Sequence, residues 1–155
     1  MDNPSTRPRI EPETSGSFEM AVRRSAAWFY WVAGLSVVNM IMMATGSNYS
    51  MVLGSGLTQL SQSMAQSFWA EGDTPPAMAL YALTLLFPLV FVFFGWKAGK
   101  LVVWPFIAGM VLYALDSLVF VLASDWVGIG FHVFVLFMLY RGLSNLRLLH
   151  QARGE

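Results

Sequence analysis

Apolar residues in this chain come in blocks too long for a soluble core. Four stretches, about 26–44, 77–96, 101–123 and 126–143, are almost free of charged side chains. The first three match the ~20 residues that a helix needs to cross ~30 Å of hydrocarbon. The fourth is apolar only as far as Tyr140. There Arg141 can snorkel, so that Leu143, Leu146, Leu148 and Leu149 carry the helix on. The pattern predicts an all-α integral membrane fold, a bundle of four transmembrane helices. Gly95 to Lys100 is too short for anything but a turn, and Ser124-Asp125-Trp126 makes the last corner. Pro88 lies at the middle of the second block and is expected to bend that helix.

The connection 45–77 has a different period. Leu53, Leu57, Leu60, Met64 and Phe68 recur at spacings of three and four, with glutamines and serines on the other side. That period predicts a short amphipathic helix in the first outer loop. It lacks the basic polar face of a helix that lies on lipid headgroups, so packing on the bundle is its expected use. Residues 1–22 are polar and proline-containing and predict a disordered tail, with 151–155 as a second short tail. The domain between them is 23–150. Because the apolar run starts late, no cleaved signal peptide is expected. Trp28-Phe29-Tyr30-Trp31 is expected to form an aromatic belt at a headgroup boundary.

Charge orients this layout. The formal net charge is zero, yet all nine Lys and Arg fall on one side of a four-span arrangement. The other side carries only Glu71, Asp73 and Asp125. The positive-inside rule then puts both termini and the Lys97/Lys100 turn in the cytoplasm, as in a protein of the bacterial inner membrane. Charged residues are only 12 % of the chain and show no basic excess, so a nucleic-acid partner is not expected. Cysteine is absent. Disulfides, thiolate metal sites and a cysteine nucleophile are thereby excluded.

Within the apolar blocks, polar side chains are few enough to compare by depth. Counted from the ends of their spans at ~1.5 Å per residue, Asn39, Thr84, Asp116 and His132 all lie roughly 9–13 Å from the outer boundary. Asp116 and His132 should point into the bundle, because an ionisable group facing lipid costs several kcal/mol. Tyr113 shares the face of Asp116, one turn away. Asn39, Thr84, Tyr113, Asp116 and His132 are therefore the candidate ligand-binding residues, with Asp116 and His132 the only candidates for acid–base catalysis. The plain alternative is that these groups form an internal hydrogen-bond network that glues the helices together.

No cofactor is expected. Asp116 and His132 supply two metal ligands, where catalytic zinc usually takes three, and a second intramembrane histidine for bis-histidine haem is lacking. Ser117 is rotated ~100° from Asp116 around the helix, which leaves a serine nucleophile unsupported. The sequence thus points to a small membrane protein that binds rather than catalyses. Its expected contacts are the lipid bilayer, a small-molecule or lipid ligand, and a membrane-protein partner or a second copy. An intramembrane enzyme or proton relay built on the Asp–His pair, and a structural subunit of a larger complex, are the alternatives.

Overall fold

The computed structural model describes residues 12–45 and 55–154. Five helices follow one another: α1 (Pro12–Ala44), α2 (Gly56–Ala70), α3 (Thr74–Ala98), α4 (Trp104–Leu122) and α5 (Trp126–Arg153). Among the described residues there is no strand. Four of the helices, α1, α3, α4 and α5, are long and apolar enough to cross a membrane. The described residues thus form an all-helical fold, with four apolar helices of the kind that integral membrane proteins use. The outer surface agrees with a lipid solvent: Leu85, Leu86, Leu89, Leu115, Leu118 and Phe137 are all more than half exposed. In water such a belt would aggregate; in lipid it costs nothing.

The core is aromatic. Phe29 lies 6.1, 6.0 and 5.9 Å, ring centre to ring centre, from Phe91, Phe94 and Phe106. Phe29 is fully buried, so this member of the expected aromatic belt belongs to the bundle's interior. Tyr30 and Trp31 beside it are exposed.

The helices α1 and α5 both run further than their apolar blocks. Residues 12–22, expected in a disordered tail, form the first turns of α1; residues 1–11 lie outside the described ones. The reason is mutual burial. Val22 of α1 is fully buried, as are Leu146 and Leu149 of α5, and Phe18 packs against the same cluster. Glu19 pairs with Arg153 beside them. Neither extension could bury an apolar face alone; together they do.

The connection holds a helix, α2, whose expected apolar ridge packs only in part: Leu57 lies against the core and Phe68 is half-buried. Thr58, Ser61, Gln62 and Ala65 are the buried side, while Leu60 and Met64 are 45 % and 44 % exposed. Leu53 lies outside the described residues. Small side chains let α2 approach α3, its main packing partner, closely. A second tie comes from Gln62, whose Nε2 donates to the Met40 carbonyl of α1 at 3.0 Å.

Pro88 sits inside α3, which continues through it from Thr74 to Ala98. The corner between α4 and α5 is tight. Ser124 takes φ 54°, and the Asp125 N–H reaches back to the Phe120 carbonyl at 2.9 Å. This is the bond that closes a helix through a left-handed residue. Asp125 then caps α5, its Oδ1 accepting from the N–H groups of Val127 and Gly128 at 3.1 and 3.2 Å.

Candidate functional site

The first turn of a helix has N–H groups with no partner inside the helix. For α2 that turn is buried, and it contains no acidic residue of its own. Asp116 of α4 supplies the missing charge. Its Oδ2 accepts from the Gly56 N–H at 2.9 Å, and its Oδ1 accepts from the Leu57 N–H at 2.7 Å and the Ser55 hydroxyl at 2.8 Å. Ser55 is the N-cap residue, and its Oγ in turn accepts from the Thr58 N–H. A carboxylate at the positive end of a helix is favoured both by direct bonds and by the aligned peptide dipoles.

The same carboxylate meets His132. Nε2 of His132 lies 3.0 Å from Oδ2, and Nδ1 lies 2.8 Å from the Gly128 carbonyl oxygen. A carbonyl can only accept, so Nδ1 carries its hydrogen there. The ring's Nε2 then faces Oδ2, and the contact spares each buried group the cost of standing without a partner.

The helix α4 holds the imidazole on both sides. Tyr113, Asp116 and Phe120 share one face, being spaced by three and four. The Tyr113 ring stacks on His132 with centres 4.2 Å apart and planes 14° from parallel. Phe120 covers the other side at 4.7 Å. Two glycines make room. A Cβ on Gly56 would lie 2.7 Å from the Phe120 ring and 2.9 Å from Val119, and one on Gly128 would lie 2.3 Å from that ring. The Tyr113 hydroxyl is buried and has no hydrogen-bond partner among the described residues.

The network runs on to α1. The Ser55 N–H donates to Ser36 Oγ at 3.0 Å, and the Ser36 hydroxyl donates to the Val32 carbonyl at 2.8 Å. Asn39 is buried one turn further along α1. Thr84 is buried too, but its hydroxyl donates to the Leu80 carbonyl of its own helix at 2.8 Å. Of the five residues singled out in the sequence, the structure thus joins Asp116, His132 and Tyr113 in direct contact. Thr84 is bonded elsewhere, within its own helix.

Sequence reasoning missed Ser55 and the two amides behind it. The signal was a Ser-Gly pair just ahead of a helical period that lacks an acid in its first turn. Such a start needs a carboxylate from another element when it is buried.

Ser55, Asp116 and His132 are the residue types of a serine hydrolase, but in the wrong order. A nucleophilic serine gives its proton to the imidazole, and the carboxylate orients that imidazole from behind. Here the Ser55 hydroxyl donates to the carboxylate, and the imidazole faces a backbone carbonyl on its other side. No third His, Asp, Glu or Cys among the described residues joins the pair as a metal-ligand cluster. Compared with protein-family models, curated proteins and solved structures, the chain matches none.

Proposed function

We propose that this chain is a membrane-embedded binding protein without catalysis of its own, with its binding surface at the end of the bundle where α2 meets the α4–α5 corner. One observation carries this reading. Asp116 accepts four hydrogen bonds, all from the protein, and both ring nitrogens of His132 are likewise engaged. Acid–base catalysis needs a substrate atom within hydrogen-bond reach of the acting group. This pair has its reach taken up by α2 and Gly128, so its work is to hold α2.

Beside the pair is a cleft of about 270 Å³, lined among others by Met43, Gly56, Gln59, Ser63, Phe120 and Asp125. Phe120 touches His132 and also lines this cleft, which links the buried centre to it. An amide, a hydroxyl and a carboxylate beside apolar walls suit a small amphiphilic molecule. Tyr113, Asp116 and His132 would act on that ligand by fixing Phe120 and the start of α2, which are walls of the cleft. Asn39 and Thr84 would contribute as buried helix contacts away from it. The orientation we propose has both termini and the Lys97/Lys100 turn in the cytoplasm of a bacterial inner membrane, with the cleft on the far side.

The test is native mass spectrometry of protein purified in mild detergent from its own membrane, reading the molecules that copurify. The expected result is a small adduct on the wild type that is absent from Ser63→Trp, which fills the cleft from an exposed position. Protein that carries no adduct, or one retained unchanged in Ser63→Trp, would overturn the proposal.

A further inference from the structure

The opposite end of the bundle has a larger cleft, about 400 Å³, between α1 and α5. A single stripe of α1 lines one wall: Ser17, Ala21, Arg24 and Trp28. Arg141 and Asn145, one turn apart on α5, face it. Its size falls in the ~300–1,000 Å³ range of small-molecule sites.

Two arginines line this cleft, and no acidic residue among the described ones does. At this end Arg23 donates to the Gly99 carbonyl at 2.8 Å, and Arg153 pairs with Glu19. Lys97 and Lys100 lie over the Trp96 ring, at 4.9 and 3.7 Å from its centre. Arg24 and Arg141 have no carboxylate partner among the described residues. Arg141 only lies 6.0 Å over the Phe137 ring. Like charges that face one cleft repel each other, and an anion between them removes that repulsion. Arginine's planar fork suits a phosphate in particular.

The chemistry changes along the cleft. Toward the middle of the bundle its wall is Trp28, edge-on to Phe134 with ring centres 5.1 Å apart, and Met138. Toward the helix ends it is arginine, asparagine and serine. A cationic, hydrogen-bonding mouth above an apolar floor matches an anionic head carried on hydrocarbon. We propose that this cleft binds the phosphate headgroup of an anionic phospholipid, with Arg24 and Arg141 as the phosphate ligands and Asn145 as a further hydrogen-bond donor. A lipid fits better than a free anion because the apolar wall of Trp28 and Met138 gives the acyl chains beneath the headgroup a surface to lie on.

The experiment uses the full chain in mixed micelles and follows thermal stability and lipid retention in native mass spectra. Phosphatidylglycerol should be retained and should raise the melting temperature; phosphatidylcholine should do neither. Arg24→Gln and Arg141→Gln should each weaken phosphatidylglycerol binding about fivefold, the effect of one cation near an anionic headgroup. Arg147→Gln, exposed and outside the cleft, should leave it unchanged. Added salt should reduce the difference between the two lipids. Equal retention of both lipids, or phosphatidylglycerol binding that survives the double Arg24→Gln/Arg141→Gln variant, overturns the assignment. Inorganic phosphate that stabilises the protein as well as the lipid does would show a free-anion site instead, and would also overturn it.

Discussion

The carboxylate of Asp116 lies 3.0 Å from the imidazole of His132 while capping a helix to which neither residue belongs. Two spans, α4 and α5, are joined through that contact. The start of α2 is hung from them, and α1 is reached through Ser55 and Ser36. One carboxylate thus ties α4, α5 and α2 directly, and α1 by way of Ser55 and Ser36. In a bilayer the hydrophobic effect does not drive helices together, so such bonds and close packing must hold the bundle's internal geometry.

Replacing Asp116 with Asn should be costly. One carboxylate oxygen becomes an NH₂ group that points at N–H donors, and His132 loses its charge partner. Breaking a buried pair from one side typically costs about 3–5 kcal/mol. The loss should be read from detergent unfolding curves, together with faster hydrogen exchange at the Gly56 and Leu57 amides. In a double-mutant cycle with His132→Gln, the coupling should come to about 1–3 kcal/mol. Additive single effects would mean that the two residues do not act as a unit.

This centre was only half legible in the sequence. Asp116 and His132 stand out because ionisable residues in apolar blocks must find one another or water. Their principal partners are backbone N–H groups at the start of α2, and no residue type encodes an amide. Thr84 shows the opposite failure: its depth made it a candidate, but a threonine in a helix can satisfy its hydroxyl on its own preceding turn. The spans themselves were plain, since block length alone sets them. The exposure of Leu60 and Met64 on α2 was not, because an apolar ridge signals burial in water and gives no such direction when hydrocarbon is also a solvent.

The packing of α2 is open to a direct comparison. Ser61 is buried in α2 against the bundle, and Leu60 is nearly half exposed. Ser61→Leu should therefore overpack the interface and cost about 1–3 kcal/mol. Leu60→Ala should change stability by no more than about 0.5 kcal/mol, as surface substitutions usually do. If the Leu60 change proved the costlier of the two, the helix would be packed the other way round.

Tyr113 separates stacking from hydrogen bonding. Its ring lies flat on His132 and edge-on to Phe91 at 5.8 Å, while its hydroxyl is buried without a partner. Tyr113→Phe keeps both ring contacts and removes a polar atom that is costly to bury, so it should be neutral or stabilising by up to about 1 kcal/mol. Tyr113→Ala removes the packing as well and should cost about 3–5 kcal/mol. A marked loss in Tyr113→Phe would reveal a hydrogen bond to that hydroxyl, and with it a ligand atom at the centre.

The proposed orientation is testable at two positions that the fold leaves accessible. Arg23 is bonded to the Gly99 carbonyl and Arg153 to Glu19, so the cationic ends of α1 and α5 and the α3–α4 turn share one end of the bundle. Gly72 sits at the other end, exposed in the loop between α2 and α3, with Glu71 and Asp73 beside it. Moving the cationic end across a bacterial inner membrane would oppose the bias that sets topology. A fluorescent protein fused after Gly154 should therefore be bright, and alkaline phosphatase at the same place inactive. Alkaline phosphatase inserted at Gly72 should be active. The reverse pattern would turn the bundle over, putting the Arg24/Arg141 cleft outside and the α2 cleft in the cytoplasm, while leaving the Asp116–His132 centre itself unchanged.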